Sequence, residues 1–258
     1  MLSSLQETVA RVSSLVQESR SILFITGAGI SADSGLPTYR GISGMYNDRA
    51  TEDGFAIEEA LSGSMFRRRP EITWKYMAQI EAGARGKTFN RAHAVIAKLE
   101  SSKPRVWVLT QNIDGFHGLA GSRNVIEIHG TMRRLLCTAC GAMRAIQSYE
   151  NATIPPICDA CTGPMRPDIV LFEEALPASA IAELDRQLRQ PFDLYVSVGT
   201  SSVFPYVVEP LIVANGMGLP TIEINPAAET TISKLVDVHL QLGAADAFQQ
   251  IASCIGIE

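Results

Sequence analysis

Six short runs of apolar and β-branched residues, at 21–26, 106–109, 125–128, 194–198, 221–224 and 238–240, are separated by helix-like stretches. Strands that read as near-continuous apolar runs are buried on both faces, and helices between them supply the crossovers that parallel strands need. The pattern predicts an α/β fold, a Rossmann-like parallel sheet flanked by helices. Polar or glycine-containing segments follow the carboxyl ends of the strands: Gly27-Ala28-Gly29, Thr110 to Gly115, His129-Gly130-Thr131, Gly199 to Ser202, Asn225-Pro226 and Gly243-Ala244. Ligands of open α/β sheets bind at that edge, so these loops converge on one candidate site.

Two stretches interrupt the pattern. Residues 41–90 predict a helical insert, in which Tyr46, Phe55, Met65, Phe66, Trp74, Tyr76 and Met77 read as core. Residues 131–168 hold four of the five cysteines. The expected division is a Rossmann-like domain from residues 1–40, 91–130 and 169–258, with the two inserts forming a small domain. A chain of 258 residues has room for both.

Composition narrows the function classes. A net charge of −5 disfavours nonspecific binding to nucleic acid, which needs a basic surface, and Arg67-Arg68-Arg69 reads as a solvated helix end. No window approaches the roughly 20 apolar residues that span a bilayer. Leu5, Val9, Val12 and Val16 fall on one helical face, predicting a docked first helix rather than an export signal. Cys254 is expected to pack in the last helix.

Cys137-x-x-Cys140 and Cys158-x-x-Cys161, 17 residues apart, have the spacing of a zinc ribbon. Four thiolates close a tetrahedral shell and leave no position for substrate, so the expected Zn²⁺ is structural. Cysteines paired for metal, with no export signal, point to the cytoplasm.

Gly27-x-Gly29-x-x-Ala32 follows the first strand at the spacing that brings backbone amides to a pyrophosphate, although such turns also occur without a nucleotide. Gly35 and Pro37 stop the helix early, and no acidic residue follows a second strand to hold a ribose. Gln111, Asn112 and Asp114 fit either a turn or a site. His129 is suited to taking a proton near neutral pH, or to a structural hydrogen bond. Gly199, Thr200 and Ser201 suit phosphate or ribose contacts, as Asn225 suits ribose hydroxyls; all four also fit ordinary loops.

Together these segments resemble the sirtuin family of NAD-dependent protein lysine deacylases over nearly the whole chain. The resemblance rests on residues 27–41, Gln111 to His117, His129-Gly130-Thr131, the four cysteines, residues 166–174, Gly199 to Val203, Ile224-Asn225 and Gly243-Ala244. It implies that the early helix break leads into a cofactor loop. Gly27, Ala28, Gly29 and Ser31 would line the phosphates, with Thr38, Tyr39 and Arg40 by the ribose and nicotinamide. Gln111, Asn112, Ile113 and Asp114 would order the nicotinamide pocket, and His129 would be the general base, with Asn112 and Asp114 also catalytic. Gly199, Thr200, Ser201, Asn225 and Ala244 would hold the adenosine half. NAD would be consumed as a co-substrate, and an acylated-lysine peptide would pair as a strand along 169–172, against Val170 and Phe172.

The chain departs from the family pattern in several places. Thr38 stands where Asp is common, Tyr39 where Phe is usual, and Phe172-Glu173-Glu174 replaces Phe-Gly-Glu. The Tyr-x-x-Arg motif of acidic-acyl members is absent, since Tyr76 is followed by Gln79. Neutral acyl groups are therefore expected over succinyl or malonyl. Mono-ADP-ribosyl transfer in the same pocket and a non-catalytic NAD-sensing module are the alternatives; a dehydrogenase fits least.

Overall fold

The computed structural model describes residues 4–37 and 51–257. Its larger sheet contains β1 (Ser21–Thr26), β2 (Arg105–Thr110), β3 (Val125–Glu127), β7 (Leu194–Val198), β8 (Thr221–Ile224) and β9 (Val238–Leu240). They are all parallel, in the order β3-β2-β1-β7-β8-β9. The expected strands are all present, with ends that differ by one residue at most. The order reverses between β1 and β7, and a ligand crevice opens at such a switch point.

Each strand sends alternate residues to opposite faces. Ile22 and Phe24 join Val106, Val108, Val196 and Ile222 against α1 (Ser4–Glu18), α6 (Arg91–Ser102) and α10 (Ala244–Ile255). Leu23 and Ile25 join Leu109 and Tyr195 against α8 (Ala178–Leu188) and α9 (Pro205–Gly216). Val9, Val12 and Val16 dock the first helix as expected, but Leu5, one turn earlier, is 40% exposed because the helix runs past the packed surface there. Cys254 corrects its expectation as well: it lies in α10 but is exposed, while Ile251 and Ala252 are buried.

The remaining elements form a second core. β4 (Gly130–Cys137) pairs antiparallel with β5 (Met143–Ala145) and β6 (Met165–Ile169). Against this sheet lie α3 (Ile57–Ala60), α4 (Gly63–Arg68) and α5 (Pro70–Ala84), whose Met65, Phe66, Trp74, Tyr76 and Met77 are buried with Leu135 and Met165. The Met and aromatic residues are core, as read; Tyr46 lies outside the described residues. Trp74 donates its indole N–H to the Met165 carbonyl at 3.1 Å, tying the helices to the small sheet. Two further helices, α2 (Ala28–Ala32) and α7 (Phe116–Leu119), are short and sit at the edge of the large sheet.

Candidate functional site

After β1 the chain makes one short turn of helix, α2, and leaves it through Gly35, whose φ of +78° ends the turn. The glycines permit close contact between the loops after β1 and β7. A Cβ on Gly29 would lie 2.6 Å from the Gly199 Cα, while the Gly29 N–H donates to the Gly199 carbonyl at 2.7 Å. The two loops at the switch point are thus in backbone contact, and the Gly29 N–H is engaged with protein.

The loop after β2 is fastened to both. Gln111 donates to Thr200 Oγ1 at 2.8 Å, and Asn112 donates to the Gly27 carbonyl at 3.0 Å and to Ser31 Oγ at 3.3 Å. Ser31 in turn donates to Asp114 at 2.7 Å, and the Phe116 N–H donates to the other Asp114 oxygen. Burial raises the Asp114 carboxyl above its ordinary value, opposed by those donors and by Arg133. Ser31 is buried and engaged with Asp114, so it acts as the bridge between the glycine turn and the acid. Ile113 packs partly against the small-domain core.

His129 follows β3 and precedes β4, at the junction of the two sheets. Gly130 makes that junction possible: its φ is +75°, and a Cβ there would stand 2.1 Å from the Asp168 carbonyl. His129 Nδ1 lies 2.9 Å from the Gln111 carbonyl. A carbonyl only accepts, so Nδ1 carries the hydrogen and Nε2 presents a lone pair. Burial lowers the His129 pKa, partly offset by the Gln111 carbonyl, so the ring is neutral at pH 7. Nε2 meets Tyr206 Oη at 2.6 Å. Tyr206 and its neighbour Phe204 were not singled out from the sequence; the available signal was Pro205 opening a helix directly after a sheet-edge loop, which places Tyr206 in the first turn.

In the loop after β7, Thr200 Oγ1 also accepts from the Ser202 N–H at 3.1 Å. Asn225 donates to the Thr200 carbonyl at 3.3 Å, and the Ser201 carbonyl accepts from Thr231. Ala244 is buried at the start of α10, where Asp33 accepts from the Ala245 N–H. The structure thus gathers Gly27, Ala28, Gly29, Ser31, Gln111, Asn112, Asp114, His129, Gly199, Thr200, Ser201 and Asn225 along one sheet edge, with Ala244 beside Asp33. Thr38, Tyr39 and Arg40 lie outside the described residues.

The expected peptide edge is already paired within the chain. The Val170 N–H donates to the His129 carbonyl and the Phe172 N–H to the Leu61 carbonyl, while Gly63 donates to Phe172. The Leu171 N–H reaches Glu174. A substrate strand drawing on these N–H groups needs them released. Glu173 takes a φ of +69°, a conformation that glycine adopts freely and an L-residue resists by about 1–2 kcal/mol. Glu173→Gly therefore raises the melting temperature by about 2–4 °C in scanning calorimetry, the shift expected for about 1 kcal/mol in a chain of this size; an unchanged or lowered midpoint contradicts strain at this position.

The four Sγ atoms of Cys137, Cys140, Cys158 and Cys161 lie within 4.8 Å of one another. The Cys137–Cys161 and Cys140–Cys158 separations are 3.5 and 3.7 Å. Zn–S bonds of about 2.3 Å in a tetrahedron place sulfurs about 3.8 Å apart, so the set fits Zn²⁺. Matching turns support each pair: Gly141 N–H donates to the Cys137 carbonyl and Thr162 N–H to that of Cys158. A Cβ on Gly163 would crowd Ala139 at 2.7 Å and Cys161 Sγ at 3.2 Å.

Beneath the site, His93 and His117 meet edge-on with ring centroids 4.8 Å apart, both buried, with His117 Nε2 3.0 Å from Thr26 Oγ1. Burial pushes His93 down to about 4 and His117 well below its ordinary range, so the folded protein keeps both neutral. Above pH 6.5 this has no effect on stability. As the pH falls towards 4, the unfolded chain takes up protons that the fold refuses, and stability is lost. His93 alone accounts for about 3 kcal/mol at 1.36 kcal/mol per unit. In urea melts at pH 7 and pH 5, His93→Gln shows the smaller fall, since Gln does not titrate and preserves the capping box with Asn90. Equal falls in both proteins overturn the assignment and leave thiolate protonation in the ribbon as the cause.

The sequence profile described as the Sir2 family matches residues 27–205. The NAD-dependent protein deacylase 2 of Pseudomonas aeruginosa is 47% identical over 96% of this chain and 97% of its own length. Among solved structures, a mutant Sir2 homologue complexed with ADP-ribose superposes with a TM-score of 0.83 at 32% identity, covering 96% of this chain and 98% of that one. A Sir2 protein holding a deacetylated p53 peptide and 3′-O-acetyl-ADP-ribose superposes with a TM-score of 0.82 at 28% identity, over 96% and 98% of the two chains. With sequence and backbone agreeing from the first strand to the last helix, this chain belongs to the Sir2 family.

Proposed function

We propose that this NAD-dependent protein deacylase removes acetyl and other neutral acyl groups from lysine side chains, with His129 as its general base. NAD is consumed: the bond between nicotinamide and the ribose breaks, and the acyl oxygen of the substrate takes nicotinamide's place on the ribose carbon. A ribose hydroxyl then attacks the acyl carbon as its proton passes to His129. With one water consumed, nicotinamide, free lysine and O-acyl-ADP-ribose leave. The observation that carries this reading is the fixed tautomer of His129, set by the Gln111 carbonyl of the same loop that carries Asn112 and Asp114.

Asn112, Ser31 and Asp114 join the loops into one pre-organised wall, which holds reacting groups in place without reorganisation during the reaction. The ribbon Zn²⁺ supplies folding energy only. The substrate is an acylated protein or peptide, as in the relative crystallised with a deacetylated peptide. The net negative charge argues against nucleic acid as a partner, no described helix is long and apolar enough to cross a membrane, and the paired cysteines support action in the cytoplasm.

Preference for neutral acyl groups rests on Tyr76 and Gln79. Tyr76 is buried and donates to Asp53 at 2.6 Å, Gln79 is exposed, and no arginine stands at that helical position. Lys75, the cation beside them, is already paired with Asp53 at 2.7 Å, so a succinyl carboxylate would find its charge-assisted partner taken. In an equimolar mixture of acetyl-, butyryl- and succinyl-lysine peptides with NAD, mass spectrometry should record succinyl loss roughly ten-fold slower than acetyl loss, the worth of one missing charge-assisted bond. Succinyl removed as fast as acetyl sinks the specificity claim and leaves the deacylase reading intact.

A further inference from the structure

His129 uses one ring nitrogen to anchor itself and the other for chemistry, and the structure shows what covers the second. Nδ1–H is committed to the Gln111 carbonyl, so the contact of 2.6 Å between Nε2 and Tyr206 Oη has the phenol as donor and the imidazole as acceptor. The phenol is aimed by its surroundings. Pro205 opens α9 and Tyr206 stands next in its first turn. The Tyr206 ring stacks on Phe204, centroids 5.4 Å apart and planes 10° apart, and both rings meet His129 edge-on at 85°.

We propose that Tyr206 is a positioning residue for the base: in the substrate-free enzyme its hydroxyl stands in for the ribose hydroxyl at His129 Nε2, holding the imidazole neutral and aimed until the sugar displaces it. The inference rests on His129 being the base. A proton cannot pass from the sugar to Nε2 while a phenol occupies the lone pair, so the Tyr206 bond belongs to the free enzyme and is absent from the reacting complex. A donor on Nε2 favours the neutral ring and opposes its protonation. Tyr206 remains such a donor throughout the working range, because burial raises its own pKa to about 12.

Other charges leave His129 alone. Among the described residues no ion pair reaches it. Glu127, at the end of β3, is engaged by Arg134 and Thr131; Asp114, after β2, by Ser31 and Phe116; Asp168, in β6, by Arg134. Burial lowers its titration and the Gln111 carbonyl raises it, and under the proposal the Tyr206 hydroxyl joins these.

The test is Tyr206→Phe, which keeps the ring stacked on Phe204 and removes only the donor. The chain has four histidines, so the His129 ring signals can be assigned by comparison with His129→Ala and titrated by NMR in the free, zinc-loaded enzyme. A neutral hydrogen bond of ordinary strength predicts that the pKa of His129 rises by about half to one unit in Tyr206→Phe. Meanwhile the acid limb of kcat, measured with NAD and acetyl-peptide both saturating, stays where it is in the wild type, since kcat reports the occupied enzyme. An unmoved His129 titration overturns the proposal, and so does a kcat limb that moves along with it, because the bond would then persist in the complex. If the wild-type enzyme fails to deacylate while the NMR shift appears, the base assignment has failed and the Tyr206 contact has not.

Discussion

His129→Ala lowers deacylation by about 10²–10⁴-fold, the usual worth of a positioned general base, while the affinity for NAD measured by calorimetry stays within about two-fold. The split follows from where the residue stands. His129 is held by a backbone carbonyl and a phenol at the end of β3, whereas the glycine turn and the Gln111–Thr200 bond that join the nucleotide-side loops do not involve its side chain. On the proposed mechanism the base acts after the nicotinamide bond has broken, so release of nicotinamide on mixing with NAD and acetyl-peptide should survive the substitution even though turnover is lost. Loss of NAD affinity in parallel with turnover would instead make His129 part of the cofactor pocket.

Removing the metal has the larger effect on structure. A structural Zn²⁺ contributes on the order of 10 kcal/mol of folding energy to a small module, comparable to the whole stability of a typical domain. Chelation, or Cys158→Ser, should therefore loosen β4, β5 and β6 together with the helices that pack on them. Trp74 reports this directly: it is fully buried, bonded to Met165 in β6 and edge-on to Tyr149 at 5.3 Å. Its emission shifts to longer wavelength as the metal leaves. Turnover falls too, because β4, which carries Cys137, begins at the residue after His129. Metal analysis should find one Zn²⁺ per chain. A metal-free protein with unshifted fluorescence and full activity would show that the ribbon folds on its hydrophobic core alone.

Much of this was readable along the chain because it is local. Runs such as Ile22-Leu23-Phe24-Ile25 declare a strand covered on both faces, and a glycine or a cysteine pair declares its geometry through short spacing. The convergence of six loops on one edge follows from parallel strands alone. What escaped depends on contacts between distant residues. Tyr206 meets His129 across 77 positions, brought there by the order in which β3 and β7 enter the sheet. Ser31 reads as a phosphate ligand in the glycine turn, yet its bond to Asp114 crosses from β1 to the loop after β2. Glu173 takes a left-handed conformation that its residue type does not announce. Leu5 and Cys254 sit at helix ends and edges, where periodicity continues past the packed surface.

The most direct test of the account is product stoichiometry. Zinc-loaded enzyme is incubated with NAD and an acetyl-lysine peptide, and free-lysine peptide, nicotinamide and O-acetyl-ADP-ribose are quantified together by mass spectrometry. All three should appear in equal amounts in the wild type, with the free-lysine peptide and O-acetyl-ADP-ribose falling by about 10²–10⁴-fold in His129→Ala. Intact acetyl-peptide, with nicotinamide released and ADP-ribose attached to protein, would contradict the account and identify the site as a transferase.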